Sequence, residues 1–283
     1  MSNQIASRAG TVTLGDITVH RMGYGAMRIT GQGVWGPPAD PDECKRVLRR
    51  AVEVGVNFID TADSYGPHLS EELIAEALFP YPDDLLVATK AGFTRSGPGR
   101  WEPDGRPEHI REAIEGSLRR LRLERIDLYQ VHTPDRKVPY ADTVGTFRDL
   151  QQAGLVRHVG VSNVSVEQLR LARDIVEVVS VQNRYNLTDR ASEPVLEACA
   201  REGLAFIPWF PLATGELAGE AIERVASRRT LTPMQVGLAW LLQHSAAMLP
   251  IPGTSKVSHL EENVAAAEVE LTYEDIRELE AAA

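Results

Sequence analysis

The sequence predicts a single α/β domain across residues 1–283, a (β/α)8 TIM barrel with an N-terminal β-hairpin cap. Three observations carry this. Short apolar runs alternate with amphipathic helical stretches along almost the whole chain, the pattern of repeated strand–helix units on a parallel sheet. The runs are continuous rather than alternating, as strands buried on both faces require. No linker, low-complexity stretch or charge block divides the chain, and its length suits one barrel. A doubly wound open sheet is the runner-up.

In order, Thr11 to His20 reads as a hairpin turning at Gly15-Asp16, placed to cap the bottom of a barrel. The barrel strands follow at Arg21–Gly25, Val56–Asp60, Leu85–Lys90, Ile126–His132, Val159–Asn163, Val178–Asn183, Ala205–Trp209 and Met248–Ile251. Between them runs the 3.6-residue period. Cys44, Val47, Leu48, Ala51 and Val52 form one stripe; Ile110, Ala113, Ile114, Leu118 and Leu121 form a second, entered at Pro107. Met234, Gly237, Leu238, Leu241 and Leu242 form a third behind the cap-and-proline pair Thr232-Pro233. Gly55, Gly154 and Gly203 fall between helix and strand, where a left-handed stop is wanted.

Composition excludes several functions. A formal net charge of −10 argues against nucleic acid as a partner, since that demands clustered cations. The two cysteines, Cys44 and Cys199, lie on apolar helix faces and read as buried thiols of a reducing compartment. The seven histidines show no metal-ligand spacing, so no metal is expected. Neither a leader nor a membrane-length apolar run is found, so the expected location is the cytoplasm, away from membranes.

What stands at the carboxyl ends of the strands is informative. Asp60, Lys90 and His132 end successive runs, followed by Ser162 and Asn163, then Gln182 and Asn183, then Trp209. Singly, each reads as the start of a solvated loop. Closing the strands into a barrel brings them together on the rim where barrel enzymes work. Reducing a carbonyl needs a hydride donor and a proton donor at the oxygen. A phenol is a weak acid at neutral pH; an adjacent ammonium lowers its pKa, and a carboxylate holds that ammonium in place. An imidazole can polarise the same oxygen. Tyr65, Lys90, Asp60 and His132 fill these four roles.

The chain resembles the aldo-keto reductases. Asn57-Phe-Ile-Asp60-Thr-Ala-Asp-Ser-Tyr65-Gly66 is similar to the family's Asp/Tyr signature, Ala88-Thr-Lys90 to its lysine strand, and Asp127-Leu-Tyr-Gln-Val-His132 to its histidine strand. Val156 to Asn163, Val181-Gln-Asn183 and Ile251-Pro-Gly-Thr-Ser-Lys256 to Asn263 resemble its cofactor segments, in family order. The resemblance implies reduction of a small aldehyde or ketone with NADPH, NADH being the lesser choice, and Tyr65 as general acid. It also implies that Gly25, Ala26 and Met27 approach the nicotinamide, and that Ser162, Asn163 and Gln182 bond its carboxamide beside Asp60. Trp209 is implied to stack on the ring and Leu212 to lie along the pyrophosphate, with Ser255, Lys256, His259, Glu262 and Asn263 around the adenosine. Trp35, with Tyr65 and His132, is the expected substrate contact, and Trp35, His68, Phe93, Trp101 and Trp209 are the candidate aromatics for its pocket.

The chain lacks a dinucleotide fingerprint, Gly23-Tyr-Gly25 being followed by Arg28 where another glycine is needed. His259 stands where many members carry an arginine, so the 2′-phosphate falls to Lys256 and Ser255. Gly23-Tyr-Gly-Ala-Met27 and Tyr65-Gly-Pro-His68 look like a bacterial subgroup that includes pyridoxal reductases. The competing function is a nicotinamide-binding sensor or regulatory subunit with little turnover; the intact tetrad and the absence of a long N-terminal extension favour the enzyme.

Overall fold

The structure, a computed structural model, describes residues 4–211 and 219–282. A hairpin of β1 (Thr11–Leu14) and β2 (Ile17–His20) comes first, with Leu14 paired to Ile17 across the turn. There follow β3 (Tyr24–Gly25), β4 (Phe58–Asp60), β5 (Leu86–Ala91), β8 (Ile126–Val131), β9 (Val156–Ser162), β10 (Val178–Gln182) and β11 (Ala205–Phe206). These seven form one curled sheet in the order β11-β10-β9-β8-β5-β4-β3, and every pair is parallel. Helices connect them: α1 (Pro41–Glu53), α2 (Leu69–Leu78), α3 (Pro107–Leu121), α4 (Tyr140–Gln152), α5 (Val166–Ile175) and α6 (Glu193–Glu202). The rest of the helical layer is α7 (Glu220–Arg229), α8 (Pro233–His244), α9 (Val257–Ala265) and α10 (Tyr273–Ala281).

The expected strand Met248–Ile251 is instead a short bridging segment that touches both edges of the sheet. The Phe206 amide donates to the Ala247 carbonyl and the Leu249 amide to that of Phe206, both at 2.8 Å; the Gly23 amide donates to the Pro250 carbonyl at 3.0 Å. Prolines at 250 and 252 lack the N–H that a longer ladder needs. The approach is close: a Cβ on Gly25 would stand 2.6 Å from the Ile251 carbonyl oxygen, and one on Gly253 2.6 Å from that of Gly25. Ala205–Trp209 is likewise shorter than expected, only Ala205–Phe206 being strand, with Trp209 bridged singly to Arg184.

The helix starts follow the sequence signals. Asp40 caps α1 by accepting from the Glu43 amide at 2.8 Å, with Pro41 at the first position. Thr232 and Gln235 form a reciprocal capping box on α8. The stripes of α1, α3 and α8 are buried against the outside of the sheet, Val47, Leu48, Ile110 and Leu241 being fully inaccessible. Cys44 and Cys199 are free, buried thiols.

A second apolar cluster shows what the sheet encloses. Phe58, Leu86, Ala88, Leu128, Val179, Ala205, Ile207, Leu249 and Ile251 pack together, and Leu14 and Val19 of the hairpin join them. Because side chains alternate along a strand, residues two further on share that face. They are Asp60 after Phe58, Lys90 after Ala88, and Gln130 then His132 after Leu128. One set of strands thus carries a dry layer and, next along the same face, a polar one.

Segment 92–106, which the sequence suggests as a loop over the site or a merely mobile one, contains an antiparallel hairpin of β6 (Phe93–Gly97) and β7 (Arg100–Pro103). Phe93 faces Pro103 and Arg95 faces Trp101 across it.

Candidate active site

The polar layer is buried and mutually bonded. Lys90 is fully inaccessible and Asp60 2% exposed; the ammonium donates to Asp60 Oδ2 at 2.6 Å, the Thr61 carbonyl at 2.8 Å and Tyr65 Oη at 3.4 Å. All three of its protons are thereby engaged. Asp60 Oδ1 accepts from two amides, Gln182 Nε2 at 2.8 Å and Gln130 Nε2 at 3.1 Å. A buried ion pair is tolerated only when its remaining lone pairs and protons are satisfied, which these partners accomplish.

Tyr65 sits in the turn after β4, its ring centroid 5.8 Å from that of His132 and edge-on to it. Burial pushes the phenol above its usual pKa, while Lys90 pulls it down and Asp60 pushes it up. The ammonium alone does not set this pKa. Its pull has the expected sign, but burial exceeds it and Asp60 partly cancels the charge. Burial also depresses Lys90, yet Asp60 and Tyr65 more than compensate, and the ammonium is held charged above its ordinary value. His132 is pushed well below its ordinary value by burial, then by Lys90 and Arg95, so its imidazole is neutral. Its Nδ1 lies 3.4 Å from the Ser64 hydroxyl.

These groups open onto a cleft of about 830 Å³. Of the expected residues, its walls include Gly25, Met27, Asp60, Tyr65, His132, Ser162, Asn163, Gln182, Trp209, Ser255, His259, Glu262 and Asn263. Ser162 donates to the Gln182 carbonyl at 2.6 Å; Asn163 takes the Trp209 indole N–H at 2.9 Å and gives its amide to the His132 carbonyl at 2.9 Å. The indole and the amides therefore form one bonded shelf. Asn163 holds φ at +59°, a conformation asparagine tolerates better than most residues.

Lys90 lies behind the wall, and three further expected residues stand elsewhere. Ala26 is buried in the main core, beside the cleft rather than in its wall. Trp35 is half-buried, bridged to Gly66, and absent from the lining, because its ring packs toward the Arg95 guanidinium at 5.8 Å. Lys256 is exposed and outside the lining; it is the N-cap position of α9, and Glu43 accepts from the next amide, Val257, at 3.1 Å. Leu212 lies outside the described residues. Phe93 and Trp101, two of the candidate pocket aromatics, also line the cleft; so do Arg28 and Phe210, which carried no expectation, while Gln130 lies behind it. Gln130 carried a findable signal: it lies two residues before His132, so it faces the same way.

An open cleft with a hydrogen-bonded indole and amides beside Tyr65, and Arg28, Ser255 and His259 further along, suits a nicotinamide cofactor. Its donor set is hydrogen-bonding and cationic rather than metal-ligating, and no cluster of metal-binding side chains occurs among the described residues. No described helix is long and apolar enough to cross a membrane.

Fold and site together define an oxidoreductase, and the chain belongs to the Aldo/keto reductase family, whose profile matches residues 21–283. It is an NAD(P)H-dependent oxidoreductase of that family. It is 50% identical to an uncharacterized oxidoreductase of Schizosaccharomyces pombe, over 97% of this chain and 90% of the relative. It is 43% identical to the pyridoxine 4-dehydrogenase of Escherichia coli, over 96% and 98% respectively. Among solved structures it is similar to the glycerol dehydrogenase of Gluconobacter oxydans, at TM-score 0.87 and 28% identity, covering 96% of this chain and 94% of that one. An aldo-keto reductase of Klebsiella pneumoniae in complex with NADP and acetate is similar at TM-score 0.81 and 25% identity, with coverage of 96% and 94%.

Proposed function

We propose that the chain reduces an aldehyde or ketone to an alcohol with NADPH, within a closed (β/α)8 barrel capped below by the β1–β2 hairpin. The observation that carries this is the Lys90 ammonium, which bonds both Asp60 and the phenol oxygen of Tyr65 at the wall of an open cleft. Since Tyr65 Oη already accepts from Lys90, its own proton is directed away from the lysine and toward a substrate oxygen. Neutral His132 offers a ring N–H to the same oxygen without adding a buried charge. The cofactor, when bound, supplies the hydride that the carbonyl carbon receives. As negative charge develops on the oxygen, Tyr65 gives up its proton, and Lys90 stabilises the phenolate that remains. Asp60, fixed by Gln130 and Gln182, keeps the ammonium aimed during the transfer.

At the other end, Arg28, Ser255 and His259 offer charge and hydrogen bonds for a 2′-phosphate, which favours NADPH over NADH. Phe93, Trp101, Tyr65 and His132 wall the substrate end with rings, which suits a flat aromatic carbonyl such as pyridoxal. The kinship to a pyridoxine 4-dehydrogenase points the same way. The test is NADPH consumption with pyridoxal, aromatic aldehydes, aliphatic aldehydes and ketones, repeated with NADH. Carbonyl-dependent oxidation of NADPH that is lost in Tyr65→Phe is expected; none with any class defeats the reading.

A further inference from the structure

Among the described residues the Arg95 side chain meets backbone carbonyls rather than a carboxylate, and every one of its donors is used. Nε–H donates to the Arg100 carbonyl at 2.8 Å. Nη1 donates to those of Val34 at 3.0 Å and Ser64 at 2.9 Å, and Nη2 to those of Gly33 at 2.9 Å and Gly97 at 3.4 Å. Five N–H groups on a rigid fork meet five backbone oxygens, a pattern that lysine, with three donors on a point charge, cannot reproduce. The carbonyls come from three separate segments: the loop before α1, the turn carrying Tyr65, and the β6–β7 hairpin. A guanidinium carbon 3.6 Å from the Trp101 ring centroid completes the arrangement.

The segments it joins need holding. Val34 has φ +56°, a strained conformation for a β-branched residue, which persists only where its surroundings over-determine it. The hairpin tip docks on the same loop, the Gly99 amide donating to the Gly33 carbonyl at 2.9 Å. A Cβ on Gly33 would stand 2.9 Å from that nitrogen. The product of this clamp is the place of one ring: Trp101 stands edge-on to Tyr65 at 6.2 Å, to His132 at 6.3 Å and to Phe93 at 5.5 Å.

We infer that Arg95 is a positioning residue that sets Trp101 against the reacting groups and thereby makes the site selective for planar aromatic carbonyls. This rests on the reductase reading above. Trp101 is the specificity-determining surface, and Arg95 acts through it. The arginine's charge is not the operative feature; its fork is.

The experiment compares benzaldehyde with propanal in the wild type, Arg95→Lys, Trp101→Ala and the double variant. The benzaldehyde-to-propanal ratio of kcat/KM is expected to fall about tenfold or more in each single variant, mainly through KM for benzaldehyde, and no further in the double. NADPH affinity by direct titration stays within about twofold. In hydrogen exchange, Arg95→Lys unprotects the Gly99 amide and leaves the amides of β5 and β8 protected. An unchanged ratio, an equal loss of kcat for both aldehydes, or a Gly99 amide still protected in Arg95→Lys overturns the inference. A wild-type chain that reduces neither aldehyde, nor pyridoxal, nor any ketone defeats the reductase reading alone, and the Gly99 amide then decides the clamp.

Discussion

At the chemical end of the cleft, Asp60, Lys90, Gln130 and Gln182 stand on hydrogen-bonded strands and are buried; at the far end, Arg28 on a single 3-10 turn and Ser255, Lys256 and His259 on a loop and a helix start are half-buried or exposed. The two ends handle charge in opposite ways. A buried ammonium must meet every one of its hydrogen-bonding demands inside the protein, and Lys90 does so within 3.4 Å. An exposed Arg28 is solvated until an anionic ligand arrives, so it can be left without an ion pair. The first kind of site is fixed before substrate binds; the second is completed by its ligand. Substitutions should therefore cost stability at one end and only affinity at the other.

The sharpest way to break this comparison is Lys90→Met. It removes the ammonium and leaves Asp60 buried with an unpaired charge. Loss of reductase activity is expected together with a fall of about 3–5 kcal/mol in unfolding free energy, measured by denaturant titration. If the variant is inactive but as stable as the wild type, the buried pair is not what holds the polar layer. Tyr65→Phe probes chemistry alone. With only the weak bond from Lys90 lost, kcat should drop by roughly 10²–10⁴-fold while unfolding and NADPH affinity change little. Ordinary turnover in that variant removes Tyr65 from the proton-donor role.

The same contrast explains what could be read in the sequence. Asp60, Lys90 and His132 were legible because each interrupts an apolar run at a strand end, and a parallel sheet brings such ends together. The N-terminal hairpin was legible from its turn, Gly15-Asp16, between alternating residues. The far end was legible only in part: Ser255, His259, Glu262 and Asn263 line the cleft as expected, and Lys256 does not. Lys256 follows the family pattern in sequence, yet a loop residue's direction depends on contacts far along the chain, here Glu43 bonding the amide beside it. Trp35 was expected at the substrate and instead packs toward Arg95. Arg95 itself gave no signal, since its five partners are backbone carbonyls whose residue types are irrelevant to the bond. Segment 92–106 reads as a loop, over the site or merely mobile, rather than as a hairpin, because Gly97-Pro-Gly99 obscures the alternation on either side of it.

Arg28→Ala sharpens the far end. If the exposed guanidinium meets the 2′-phosphate, NADPH affinity should fall about tenfold, NADH affinity should hardly move, and stability should be unchanged. Lys256→Ala should weaken NADPH less, its side chain lying outside the cleft wall. Equal losses for both cofactors would place Arg28 on the pyrophosphate instead.

The smallest expected effect is a pH dependence at the chemical end. His132 is buried neutral, with a folded-state pKa well below 6.5, first through burial and then through Lys90 and Arg95. In the unfolded chain the imidazole takes up a proton below about pH 6.5, which the folded chain refuses. Between the depressed folded pKa and about 6.5 the unfolded state therefore binds more protons, so stability rises with pH in that window and levels off above it. Asp63 acts in the opposite sense. Burial, then the neighbouring Glu71, raises its carboxyl well above 3.8, so the folded chain keeps a proton that the unfolded chain releases, and stability falls as pH rises through that range. The two slopes overlap, and the wild-type curve alone cannot separate them. The difference between wild type and His132→Gln can, because Asp63 contributes to both. That difference should shift by up to about 1.4 kcal/mol between pH 6.5 and 5.5, the wild type losing more on acidification. A difference flat across the window would mean that His132 takes up its proton in the folded protein too. The chemical end would then accept a charge it has not paired, as the far end does.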